Sequence, residues 1–228
     1  MKQFLFVYAF SVLWGTEPIV EDFSSLDHWK PLTFPNIENH TYYSIEKRDT
    51  VSVLKAEARA SASGVIFSET FNVYEMPVIR WRWMVSNVFT KGDARFKDGD
   101  DYPVRIYIVF QYDPDEAGWA QALKYEAARL VYGEYPPHSS LNYIWANRSH
   151  EKGIIPNAYT NQAQMIVLRE GPAAVGTWQE EEVDILRDYR AAFGEDPPAT
   201  ASLAIMSDSD NTGESAIAFI DYIAVLPR

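Results

Sequence analysis

Ten short runs with strand character, each bounded by turn-forming residues, leave this chain few folds to choose from. They fall at Tyr42–Ile45, Val51–Ala56, Gly64–Phe71, Val78–Val85, Val104–Tyr112, Leu141–Ala146, Gln164–Arg169, Glu181–Ile185, Leu203–Ser207 and Ala216–Leu226. No regular alternation of strand and helix runs through them, which argues against a parallel α/β sheet. Many short strands at this spacing predict an all-β sandwich or barrel. Two helices interrupt the pattern. One is expected over about residues 114–132, where Asp113 can cap, Pro114 suits the first turn and Gly133 can close the end. The other is expected from Leu186 to Phe193, closed by Gly194. Neither a repeat nor a Gly/Ser linker divides the chain, so one domain over residues 17–228 is expected.

Composition removes several classes of function. Zero cysteines exclude disulfide scaffolds, thiol catalysis and Cys-ligated metals. The four histidines show no HExxH or HxH spacing, which disfavours a zinc enzyme. A net charge of −12 repels phosphate backbones, so nucleic acid is not an expected partner. No apolar run reaches the roughly 20 residues of a membrane-spanning helix. Met1-Lys2-Gln3 followed by the apolar run Phe4–Trp14 reads as a signal peptide over residues 1–16, and hence as a periplasmic or secreted protein. The alternative is an N-terminal apolar strand of the mature fold. No GxSxG, phosphate-binding loop or dinucleotide GxGxxG motif is present.

Alternation along two strands separates core from polar positions. In Val78–Val85, Arg80 and Arg82 lie opposite Trp81 and Trp83. In Val104–Tyr112, Val104, Ile106, Ile108 and Phe110 share one face, and Arg105, Tyr107, Val109 and Gln111 the other. Taking the two strands as neighbours, Arg80, Arg82, Arg105 and Tyr107 form a face for an anionic carbohydrate, since a guanidinium fork matches a carboxylate. A solvated outer face is the competing reading. Asp101 can pair with Arg105 or Arg82, and Tyr143 and Trp145 offer rings on which a sugar can stack. The run Asp208–Glu214 places Asp208, Asp210 and Gly213 at positions one, three and six of a calcium-loop pattern. The match is partial, because Thr212 and Phe219 stand at positions five and twelve. A turn capped by Asp and Asn side chains is the alternative.

Several of these motifs occur together in one family. Ala60-Ser-Ala-Ser63, Arg80-Trp-Arg-Trp83, Asp100–Phe110, Leu141–Ala146, Asp188–Gly194 and Met206–Gly213 resemble the bacterial domain-of-unknown-function family numbered 3047, over about residues 18–227. More remotely, Val20–Trp29 and Ala218–Val225 resemble the first and last strands of galactose-binding-like jelly rolls, the shape of many carbohydrate-binding modules. That resemblance implies a single jelly-roll β-sandwich whose termini pair. It also implies a structural calcium where Asp221 meets Glu21 or Asp22. The reading that follows is a non-catalytic cell-envelope protein binding a carbohydrate or other polar ligand at Arg80, Arg82, Asp101, Arg105, Tyr107, Tyr143 and Trp145. Structural Ca2+ would sit at Asp208, Asp210 or Asp221. The alternatives are a polysaccharide-active lyase or hydrolase, and a structural protein with an envelope protein partner.

Overall fold

The computed structural model describes residues 17–35, 37–115, 125 and 136–228. The expected signal peptide lies outside them, as does all of the expected first helix after Asp115 except Tyr125. The strands are β1 (Ile19–Glu21), β2 (Trp29–Leu32), β3 (Tyr42–Arg48), β4 (Val51–Arg59), β5 (Ala62–Phe67), β6 (Phe71–Asn72), β7 (Val78–Val85), β8 (Arg105–Phe110), β9 (Ser139–Ala146), β10 (Gly153–Pro156), β11 (Ala163–Glu170), β12 (Gln179–Asp184), β13 (Thr200–Asp208) and β14 (Ser215–Leu226). A helix, α1 (Ile185–Phe193), lies between β12 and β13. Asp184 caps α1 by accepting from the Arg187 amide, and Gly194 closes it with a φ of 76°.

The strands form a jelly-roll sandwich of two sheets. The first sheet runs β12-β7-β14-β4-β3, with β1 also paired to β14. The second runs β10-β11-β9-β8-β13-β5-β2, with β6 also paired to β13. The chain changes sheet repeatedly, at β4 to β5, β7 to β8 and β13 to β14, so hairpin neighbours often face each other across the core. All pairings are antiparallel except β9 with β11. The termini pair as expected, with Ile19 opposite Val225.

The inner faces carry the expected apolar residues. Trp81, Trp83, Val104, Ile106, Ile108 and Phe110 are all fully buried. Aromatic rings bridge the sheets: Trp81 and Tyr143 have centroids 5.5 Å apart, and Trp83 and Trp145 are 6.0 Å apart. Tyr143 and Trp145 are therefore core residues, not a sugar-stacking platform. The Tyr143 hydroxyl donates to Asp188 Oδ2 of α1 (3.0 Å), and Trp145 Nε1 donates to the Gly171 carbonyl (3.1 Å). Their inward placement follows from β9 being covered on both sides. Its other face packs Ile144 and Ala146 with Ala94, Tyr102 and Met165.

The arginine pairs separate because β7 and β8 belong to different sheets. Arg80 and Arg82 lie on the outer face of the first sheet. Arg80 pairs with Glu182 of β12. Arg82 pairs with Asp221 of β14 at 2.5 Å and lies over the Trp178 ring at 4.9 Å. These are cross-strand ion pairs on a charged face, and they do not join Arg105 and Tyr107. Asp221 is thus a partner of Arg82. Glu21 is occupied too, accepting from the Phe23 amide (2.7 Å) and Trp29 Nε1 (3.0 Å).

Candidate functional site

On the outer face of the second sheet, β8 and β13 form the floor of a pocket of about 480 Å³. Alternation turns Arg105 and Tyr107 of β8 outward, beside Met206 and Asp208 of β13. One wall comes from Phe34, Pro35 and Ile37, after β2. The opposite wall comes from Asn157 and Tyr159, after β10, with Asp210 and Asn211 at the β13–β14 turn. With Ala62 of β5 and Asp100 before β8, five separate segments of the chain therefore meet here.

The floor is a buried charge cluster. Arg105, 4% exposed, pairs with Asp208, 1% exposed. Arg105 Nη1 lies 3.6 Å from Asp100 Oδ1, and its guanidinium lies over the Tyr102 ring at 4.8 Å. Asp101 pairs with neither Arg105 nor Arg82. It caps the following turn: Oδ2 accepts from the Thr212 amide (2.6 Å), and Oδ1 accepts from Asn211 Nδ2 (3.0 Å). Gly213, at φ 69°, supplies the left-handed residue that closes this turn. The capped-turn reading of Asp208–Glu214 thus describes the backbone. Even so, carboxylate oxygens of Asp101, Asp208 and Asp210 all lie within 4.8 Å of one another, a spacing that admits a cation.

The segment before β8 is held rigidly over the sheet. Asn147 Nδ2 donates to the Asp101 carbonyl (2.7 Å), and its Oδ1 accepts from the Phe89 amide (2.8 Å). Buried Glu151 accepts from the Ala94 amide (2.6 Å). A Cβ on Gly99 would come within 2.6 Å of the Asp93 amide, so this close crossing requires glycine.

Four carboxylates around one buried guanidinium leave excess negative charge, which does not suit an anionic ligand. Burial is the largest influence on both Asp100 and Asp210, and it raises their carboxyls. The charge of Asp101 adds to each, and Arg105 opposes it. Arg105 stays charged: burial works against its proton, but Asp208, Tyr107 and Asp100 outweigh it. Because the folded state holds the Asp100 and Asp210 protons more tightly than the unfolded chain, the stability they contribute is present at low pH. It is lost as pH rises from the ordinary carboxylate range through their raised values. Asp93 acts oppositely: hydrogen bonds from Arg95 bring it down to about 2, so its contribution is lost as pH falls towards that value. Asp210→Asn should raise stability at neutral pH, by under about 1 kcal/mol for a half-exposed group, with a smaller gain in acid. Urea unfolding across a pH series checks this. A gain that grows in acid would contradict it.

The sequence reading and the structure agree on part of this site. Asp101, Arg105, Tyr107, Asp208 and Asp210 are brought together. Arg80, Arg82, Asp221, Tyr143 and Trp145 lie elsewhere. Phe34, Ile37, Asn157 and Tyr159 were not foreseen. The only local sign was turn chemistry at Asn157, whose Oδ1 accepts from the Tyr159 amide (3.0 Å).

Residues 27–224 match the family of proteins of unknown function DUF3047, and the chain belongs to that family. Two of the segments that carry the resemblance, Asp100–Phe110 and Met206–Gly213, build the pocket floor. Among solved structures, the chain is similar to a family 11 carbohydrate-binding module from Clostridium thermocellum. The identity is 9%, covering 92% of this chain and 95% of that one, with a TM-score of 0.44. It is also similar to endoglucanase 3 of family GH12 from Trichoderma harzianum, at 10% identity, covering 92% and 97%, with a TM-score of 0.47. No curated protein matches the sequence.

Proposed function

We propose that this protein binds a small polyhydroxylated ligand, a carbohydrate, in the pocket on the outer face of the second sheet. The observation that carries the reading is the division of the pocket lining. Asn157 with Asp210 and Asn211 offers hydrogen-bonding groups on the β10 side, Phe34, Pro35 and Ile37 offer carbon on the β2 side, and the floor carries both characters in Asp208 and Met206. A sugar ring has the same two characters, hydroxyls at its edge and C–H groups on its faces. Tyr159, 54% exposed, lies beside the pocket with its hydroxyl proton shared between two acceptors, the Lys97 carbonyl (3.2 Å) and Asn211 Oδ1 (3.3 Å). It can therefore meet a ligand with little loss of side-chain freedom.

Binding without chemistry is favoured because Asp101 and Asp208 are committed to the turn amides and to Arg105. A carbohydrate-active enzyme is the second reading, favoured by the raised carboxyls of Asp100 and Asp210 near other carboxylates. Calorimetric titration with a panel of oligosaccharides tests the first. Tyr159→Ala should weaken binding on the order of tenfold while shifting stability by no more than about 0.5 kcal/mol. Release of new reducing ends from any bound sugar would favour the enzyme. If no member of the panel binds, the proposal fails.

A further inference from the structure

We propose that two copies of this chain pair through the free edge of β3, antiparallel and with Ile45 opposite its own copy, so that their first sheets join into one. The sheets end in four strands, β12, β3, β10 and β2. The side strands β1 and β6 have only three and two residues. Three of the four ends are unsuited to pairing. β2 and β10 have four residues each and carry Pro31 and Pro156. β12 reads Gln-Glu-Glu-Glu-Val-Asp, so a second copy laid along it would set carboxylates against carboxylates. β3 has seven residues, no proline and charges of both signs.

The register follows from hydrogen-bond parity. The turn Asp49-Thr50 joins β3 to β4, with Arg48 opposite Val51. The bonded pairs with β4 therefore fall at Arg48, Glu46, Ser44 and Tyr42. The backbone N–H and C=O of Tyr43, Ile45 and Lys47 point the other way, and among the described residues no hydrogen bond reaches them. A second copy has to meet these residues with its own odd-numbered ones. A two-fold axis at Ile45 pairs Ile45 with Ile45 and Tyr43 with Lys47, so every free group of the edge is used, two hydrogen bonds to each pair.

The side chains agree with that register. Arg48 lies over the Phe219 ring on the outer face of the sheet, and the Tyr43 hydroxyl reaches inward to the Ser63 carbonyl. On the outer face Ser44 meets the second copy's Glu46, and Tyr42 meets its Arg48. On the inner face Tyr43 meets its Lys47. No like charges stand directly opposite. An axis at Glu46 would set two carboxylates against each other, and an axis at Ser44 would leave the backbone groups of Lys47 unpaired. Tyr42 is 66% exposed in the single chain, and the facing guanidinium gives its ring a partner. The strand is thus complementary to its own reversed copy, which is why a second copy is the occupant proposed.

An edge-to-edge contact is small, so a weak, concentration-dependent dimer is expected. Sedimentation equilibrium from about 1 to 300 µM should show it, in physiological salt that screens the acidic surface. Ser44→Glu should weaken the dimer about tenfold, because two like-charge contacts with Glu46 form across the axis, and Ser44→Lys should tighten it. Within one chain Ser44 stands opposite Lys55, so the effects of these two variants on unfolding should run the other way. The chain has no cysteine, which lets a disulfide report the register. Ile45→Cys should cross-link two copies, since a bonded pair brings its Cα atoms to about 5.5 Å. Lys47→Cys is more exposed but stands far from its own copy, and should cross-link much more slowly. A chain that stays monomeric throughout, or a Lys47→Cys that cross-links faster than Ile45→Cys, overturns the proposal. So does a dimer that survives Lys47→Pro, which removes an N–H of the free edge and leaves the β3–β4 ladder whole. Slow hydrogen exchange at the Tyr43, Ile45 and Lys47 amides of a monomeric sample would mean that the chain covers this edge itself, and would exclude the pairing.

Discussion

Arg105→Ala is expected to destabilise the fold by about 3–5 kcal/mol, because it strands a buried carboxylate without its counter-ion. Asp208 is 1% exposed, and its other oxygen accepts only from the Tyr102 amide at 3.3 Å. Asp100 loses its nearest cation in the same step. Arg105→Ala combined with Asp208→Ala should recover part of the loss, since neither charge then remains to be satisfied. Arg82→Ala is the contrast. Its side chain is 37% exposed and its ion pair stands on the open face of the other sheet. A change within about 1 kcal/mol is expected there. Urea unfolding of the variants decides the matter. If Arg105→Ala unfolds like wild type and only ligand binding is lost, the guanidinium is a ligand group and the buried-pair account is wrong.

Trp145→Ala should cost about 3–5 kcal/mol as a large-to-small core substitution. The ring is fully buried between the sheets, 6.0 Å from Trp83, and its Nε1 bonds the Gly171 carbonyl. Trp145→Phe keeps most of the ring volume but loses that hydrogen bond, so a smaller loss is expected. Affinity for any pocket ligand should hardly change in Trp145→Phe. A folded, stable Trp145→Ala that no longer binds sugar would return Trp145 to the binding surface.

The two views differ most where a strand is covered on both sides. In β8, apolar and polar residues alternate cleanly, so the sequence identifies the inner face correctly at all four of Val104, Ile106, Ile108 and Phe110. In β9 the same parity groups Tyr143 with Trp145, but the intervening Asn142, Ile144 and Ala146 are buried as well, under the segment that precedes β8. Alternation then carries no information about which side meets solvent. Arg105 shows a related ambiguity. Its outward position follows from parity, but its burial depends on Asp100, Tyr102 and Asp208, and Asp208 is far away in the chain.

The pairing of the first and last strands was implied by a resemblance to galactose-binding-like jelly rolls; the residue pattern by itself determined the strand-rich architecture, the inner faces of β7 and β8 and the helix α1 with its closing glycine. Each of these last is a local pattern, a period of two or a glycine at positive φ, and local patterns are written in consecutive residues. Tertiary structure alone decided that β7 and β8 lie in different sheets, and so that Arg80 and Arg82 do not stand beside Arg105 and Tyr107. It alone brought Phe34, Asn157 and Tyr159 to the rim of the pocket and set four carboxylates around one guanidinium. Sheet order and loop packing are chosen by contacts between residues far apart in the chain, and each such contact is weakly specified by any one segment.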